Sequence, residues 1–147
     1  MKLRHCSNII CSLALLALIG CTTDPSCHQS QKPRAGLAVD IDTFSIYGVP
    51  TDSVLVYQGR NVHQVDLPLR GDTTITQYRI DWKGLSDTIS IHHTNDYQYV
   101  SFACGCFVYH IIDSVWSTRH FIENFYITDS DVQDKGGENM RITVRFQ

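Results

Sequence analysis

Thiols and imidazoles are the groups of this 147-residue chain best suited to chemistry, with six cysteines and seven histidines. Cys27-His28 and Cys104-Gly105-Cys106 form a possible four-ligand metal set, with His110 nearby in sequence. Structural zinc sites more often place two residues between paired cysteines, so the single Gly105 argues against zinc. Oxidation is the other fate. On an extended strand Cys104 and Cys106 share a face roughly 6.5–7 Å apart, whereas bridged cysteines bring their Cβ atoms to about 3.8 Å. The preferred disulfide is therefore Cys27–Cys104, leaving Cys106 over. It would close a loop of roughly 80 residues and contribute about 4 kcal/mol in the chain-entropy model.

The remaining candidates carry less. His92 and His93 point to opposite faces of a strand and cannot share an ion from there, while His63, His110 and His120 are scattered. All read as surface or core histidines. Asp129-Ser130-Asp131-Val132-Gln133-Asp134 hints at calcium, yet an EF-hand loop requires Gly sixth and Glu twelfth, and those places hold Asp134 and Met140. No Gly-x-Ser-x-Gly is present. Cys106 and His110, four residues apart on one strand face, are separated by roughly 13 Å, too far for a nucleophile and its base. Arg70-Gly71-Asp72 reads as a turn. Tyr47, Tyr57, Tyr78, Tyr97, Tyr99, Tyr109 and Tyr126, with Trp82 and Trp116, offer material for a sugar-stacking platform, although strands recruit aromatics for core packing in any case.

Whether the thiols oxidise depends on the compartment, and the start of the chain bears on that. Lys2 and Arg4 precede an apolar run from Ile9 to Ile19, interrupted by Cys11 and Ser12. Eleven residues fall short of the roughly 20 that span a membrane, and the layout is that of a secretory signal peptide. Leu18-Ile19-Gly20-Cys21 resembles the bacterial lipoprotein box, which implies cleavage before Cys21 and lipidation of its thiol. The expected organisation is a signal peptide over residues 1–20, a lipidated tether over 21–35 and a domain over 36–147. Thr22 rather than Asp follows the cysteine, and Asp24 stands alone nearby. The expected location is the bacterial cell envelope, at the outer membrane facing the periplasm. Disulfides persist outside the cytoplasm.

Charge narrows the partners. Removing Lys2 and Arg4 from the 12 basic residues leaves 10 against 15 acidic ones, a net charge near −5. The basic residues are dispersed, without the clustering that phosphate neutralisation requires, so nucleic acid is excluded as a partner.

Short alternating segments must position these groups. Leu37, Val39 and Ile41 alternate with Ala38, Asp40 and Asp42 as a half-buried strand. Gly48-Val49-Pro50 through Ser53 reads as a turn, Val54 to Tyr57 as a short apolar strand, and Val62 to Leu69 as another. Pro68 lacks an amide donor and belongs at a strand end or edge. Thr74 to Ile80 is β-branched and aromatic, with Tyr78, Ile80 and Trp82 on one face and Ile75 on the other. Asp87 to His93 follows, and then the long apolar stretch Tyr97 to Ile112, either a central strand or two strands broken near Gly105. Phe121, Phe125 and Ile127 mark a further strand, and Asp129 to Asn139 a polar loop. Met140, Ile142, Val144 and Phe146 alternate with Arg141, Thr143 and Arg145 as the last strand. The pattern predicts an all-β chain, an antiparallel, immunoglobulin-like β-sandwich of about seven to nine strands.

Several pieces together resemble a family of small, uncharacterised Bacteroidota lipoproteins defined as a domain of unknown function. They are Cys27 with Pro33-Arg34-Ala35, Tyr47-Gly48 with Asp52-Ser53, Leu67-Pro68-Leu69 with Thr74 to Tyr78, Asp87-Thr88-Ile89, and Cys104-Gly105. The resemblance covers most of residues 27–146. It implies a β-rich lipoprotein domain and supports Cys27 and Cys104 as partners; Cys106 is additional to its pattern. It brings no activity and no catalytic residues.

The expectation is a lipid-anchored envelope protein, a non-enzymatic binding or envelope-assembly module with no cofactor. Its partners are the membrane, through the lipid on Cys21, and an envelope protein or glycan. The alternatives are a metal-binding protein using the Cys27/His28/Cys104/Cys106 cluster, and an enzyme whose site is assembled from distant residues.

Overall fold

Strict period-two burial shapes the clearest strand. From Ile75 to Trp82 the side chains alternate outward and inward, with Thr76, Tyr78, Ile80 and Trp82 buried and Ile75, Gln77, Arg79 and Asp81 more exposed. The computed structural model describes residues 33–50, 55–59, 62–102, 105–132 and 137–145. Ten strands are formed there: β1 Arg34–Val39, β2 Phe44–Val49, β3 Leu55–Gly59, β4 Gln64–Pro68 and β5 Ile75–Trp82, then β6 Leu85–Ser101, β7 Gly105–Ser117, β8 Ile122–Ile127, β9 Asp131–Val132 and β10 Glu138–Val144. No helix of the described residues is long and apolar enough to cross a membrane.

The strands make two sheets, ordered β4-β1-β10-β8 and β3-β2-β5-β6-β7-β9. Their inner faces share one core. Leu37, Leu67, Met140 and Ile142 from the smaller sheet join Phe44, Ile46, Ile80, Ile89 and Ile91 from the larger. The arrangement is all-β and consistent with a β-sandwich. Two details correct the expected topology. β1 pairs with β10 in parallel, which is possible because nearly the whole chain serves as their crossover. The strand order also differs from the ABED and CFG sheets of an immunoglobulin domain.

Strand ends define two ends of the molecule. At one end Arg34 begins β1 opposite Pro68, and residues 69–74 cross to the other sheet, where Ile75 pairs with His92. At the other end β1 finishes at Val39, whose amide donates to the His63 carbonyl. Past His92, β6 leaves β5 behind and continues as a hairpin with β7, from His93↔Ile112 to Ser101↔Gly105. This overhang of nine residues is about 30 Å long. Gly105 takes φ 75° at its turn, a conformation glycine enters without a Cβ clash.

Two buried polar side chains fix the joints. The Asp87 carboxylate accepts from Thr118 Oγ1, the His120 amide and His120 Nδ1 at 2.6–2.9 Å on Oδ1, and from the Phe121 and Ile122 amides at 2.8 Å on Oδ2. It thereby holds the corner where the chain passes from β7 to β8. Asn139 sits in the β1–β10 bulge, its Oδ1 accepting from the Gly36 amide and its Nδ2 donating to the Asp129 and Asp131 carbonyls.

Candidate functional site

Small residues on β1 shape a recess among the described residues. Ala38 lies between Gln64 of β4 and Arg141 of β10 in register, so a methyl group is flanked by two long polar side chains. The resulting groove, about 330 Å³, is lined by Ala38, Val39, Asp40, His63, Gln64, Glu138 and Arg141. It opens on the outer face of the smaller sheet, toward the Val39 end.

Its charges are largely matched within the groove. Arg141 Nε donates to Glu138 Oε1 at 2.8 Å and Nη2 donates to Oε2. The Glu138 carboxylate, with Tyr126 and Asp40 nearby, raises the guanidinium pKa above its ordinary value. Gln64 Nε2 points at the Gly137 carbonyl and Asp66 Oδ1 over 3.3 and 3.4 Å. Planar donors and acceptors thus converge without a concentrated charge. Such a lining can hydrogen-bond a ligand.

A second polar cluster is closed. Asn95 Nδ2 donates to the Gly71 and Thr73 carbonyls at 2.9 and 2.8 Å. Its Oδ1 therefore faces two rings, His93 Nδ1 and His110 Nδ1, each at 2.8 Å. Because that oxygen only accepts, both histidines carry their proton on Nδ1. His93 Nε2 then accepts from Thr76 Oγ1 at 2.8 Å, and the same hydroxyl accepts from the Arg70 amide. The rings meet edge to face at 5.1 Å. Burial pushes both imidazoles down, His93 despite its bond to Asn95, and His110, which also feels His93, to about 4. Neutral histidines in a satisfied network are a structural core. Sequence spacing carries no sign that His93 and His110 meet; strand register brings them together.

The other singled-out residues fall apart spatially. His92 is exposed while His93 is buried, on opposite faces as expected. His120 caps the Asp87 corner. Arg70 and Asp72 pair across their turn, and Gly71 receives Asn95 and Tyr97. Among the described residues the aromatics form no single platform: Tyr78 and Trp82 are in the core, Trp116 is exposed on β7 of the larger sheet, and Tyr126 is on β8. Tyr97, Tyr99 and Phe102 stand out at the hairpin end, 61%, 62% and 102% exposed, with Tyr99 and Phe102 edge to face at 6.4 Å. Among the described residues no group of three or more His, Cys, Asp or Glu side chains is placed to hold a metal.

The disulfide is corrected. The described residues hold none; Cys106, the single cysteine among them, is a free, exposed thiol, and a bridge requires a second sulfur about 2 Å away. Cys27 and Cys104 lie outside the described residues, as do Cys21, His28 and the side chain of Tyr57. Sequence reasoning missed the groove altogether. Its signal is the pairing of Ala38 with polar residues on both neighbours, which only the register reveals.

The model of a family of unknown function (DUF6452) matches residues 43–144. That span includes His63, Gln64, Glu138 and Arg141 of the groove and the whole β6–β7 hairpin. Neither a curated protein nor a solved structure matches the chain.

Proposed function

The chain belongs to this family of unknown function, and from that premise we propose that it is a lipid-anchored binding module of the bacterial cell envelope. In this reading Cys21 carries the lipid and the chain faces the periplasm from the outer membrane. The domain binds rather than transforms its ligand, using the groove over Ala38. The observation that carries the reading is the groove's composition: converging amide, carboxylate, guanidinium and imidazole groups, with Glu138 and Arg141 paired. An uncharged, polyhydroxylated group matches such a lining better than a phosphate or a strongly charged peptide, so a glycan is favoured over a protein as the ligand. The 330 Å³ volume suits one or two sugar rings.

Two measurements test it. Intact-mass analysis of the membrane-extracted protein should give a chain beginning at Cys21 with acyl chains attached, and Cys21→Ala should abolish them. Titrating the protein with neutral mono- and disaccharides should move the amide resonances of Ala38, Gln64 and Arg141. Arg141→Ala should weaken binding by about tenfold, the effect of a lost charge-assisted hydrogen bond of about 1.4 kcal/mol. Saturable binding that is unchanged in Arg141→Ala and Gln64→Ala would remove the groove from the proposal.

A further inference from the structure

The β6–β7 hairpin carries its exposed aromatics away from the groove. Tyr97 and Tyr99 occupy the β6 face that also carries Asn95, directly opposite Val108 and Cys106 of β7. Phe102 follows at the tip, fully exposed. Residues 96–107 contain one charged side chain, Asp96, and no lysine or arginine. This overhang leaves the molecule at the end where Arg34 begins β1 and residues 69–74 cross between the sheets. The contact is direct: Tyr97 OH donates to the Gly71 carbonyl at 2.5 Å. The described chain begins at Pro33, at that same end.

We propose that Tyr97, Tyr99 and Phe102 form a foot that seats the domain in the interfacial layer of the bilayer to which Cys21 is anchored. The inference rests on the lipid-anchored reading above. Twelve residue steps separate Cys21 from Pro33, and at about 3.3–3.6 Å each they reach no more than about 43 Å. The chain therefore enters the domain within about 43 Å of its anchor, and the end it enters is the one bearing the aromatics. Tyrosine and phenylalanine suit that layer because an apolar ring is buried while the tyrosine hydroxyl stays wet. Residues 96–107 themselves hold no lysine or arginine, and this sets the lipid class: the foot uses ring burial, not attraction to anionic headgroups.

The test uses the full-length lipidated protein reconstituted in phosphatidylethanolamine/phosphatidylcholine vesicles. Phe102→Trp places a fluorescent reporter at the tip, with Trp82, buried in the core, and Trp116, exposed on the sheet, as internal controls remote from it. Lipids brominated on their acyl chains should quench the new fluorescence strongly and that of the wild-type protein little. Vesicles should also reduce acrylamide quenching of the reporter at least threefold. Tyr97→Ser with Tyr99→Ser should lower the bromolipid quenching at least threefold, and replacing a third of the lipid with phosphatidylglycerol should change it by less than a factor of two. These exposed positions leave the core untouched, and an unchanged far-ultraviolet spectrum verifies folding. A lipidated Phe102→Trp protein whose reporter is quenched by acrylamide alone overturns the foot and leaves the anchor standing. Intact mass without acyl chains overturns the anchor itself, and the foot with it.

Discussion

Asp87 and His110 are both ionisable and both buried, and they respond to acid differently. Burial would raise the Asp87 pKa, but the bonds from His120, Thr118, Ile122 and Phe121 outweigh it and hold the carboxyl below its ordinary value. Its contribution to stability is therefore complete above the unfolded value near 4 and is lost as pH falls through the lower folded value. His110 is depressed chiefly by burial, to about 4. The unfolded chain takes up this proton first, so stability falls as pH drops from about 6.5 to about 4, by on the order of 3 kcal/mol. Urea denaturation across that range should show the decline, and His110→Gln should flatten it even while lowering stability at pH 7. A slope unchanged by His110→Gln would place the titrating group elsewhere.

At the scale of elements, the parallel β1–β10 pair depends on one missing side chain. A Cβ on Gly36 would lie 1.8 Å from the Gly137 carbonyl oxygen and 2.9 Å from its carbon. Backbone cannot yield as a flexible side chain would, so Gly36→Ala must push β10 away and strain the Asn139 bond to the Gly36 amide. We expect a loss of about 2–3 kcal/mol, read as a lower urea midpoint. Several elements are legible in the sequence because their burial alternates. Thr74 to Ile80 and Met140 to Val144 read as strands with the correct inner faces, and Pro68 falls at the end of edge strand β4 as its missing amide requires. β2 is not legible, because Gly48-Val49-Pro50 carries the composition of a turn while register with β5 keeps Gly48 and Val49 extended. β6 runs through Thr94-Asn95-Asp96, joining the segments Asp87 to His93 and Tyr97 onward that the sequence presents separately; pairing with β7 and the Asn95 bonds hold those polar residues in the strand. The groove and the His93–His110 contact are invisible in the sequence for one shared reason. Each joins residues distant along the chain through register, and register is not written in local pattern.

The whole molecule divides into a doubly supported centre and a singly supported overhang. β5 and β7 flank β6 over Ile89–His92, and the core packs beneath it. Among the described strands, β6 is paired with β7 alone from Tyr97 to Ser101. Local opening costs less where fewer packed neighbours must separate. Hydrogen exchange in detergent should therefore be slowest at Ile80, Ile89, Ile91 and Ile142 and roughly a hundredfold faster at Tyr97 and Tyr99. Adding vesicles should slow the hairpin end alone.

β1 runs between the two ends, rising about 17 Å from Arg34 to Val39. With the aromatic tip resting on lipid, the chain becomes an upright post with a fixed clearance. The groove, opening near the Val39 end, then stands above the headgroups by the height of the sheet plus whatever part of the hairpin remains above the surface. In the proposed arrangement a ligand of the groove would come from the aqueous space or from the layer lying over the membrane, with the lipid beneath out of reach.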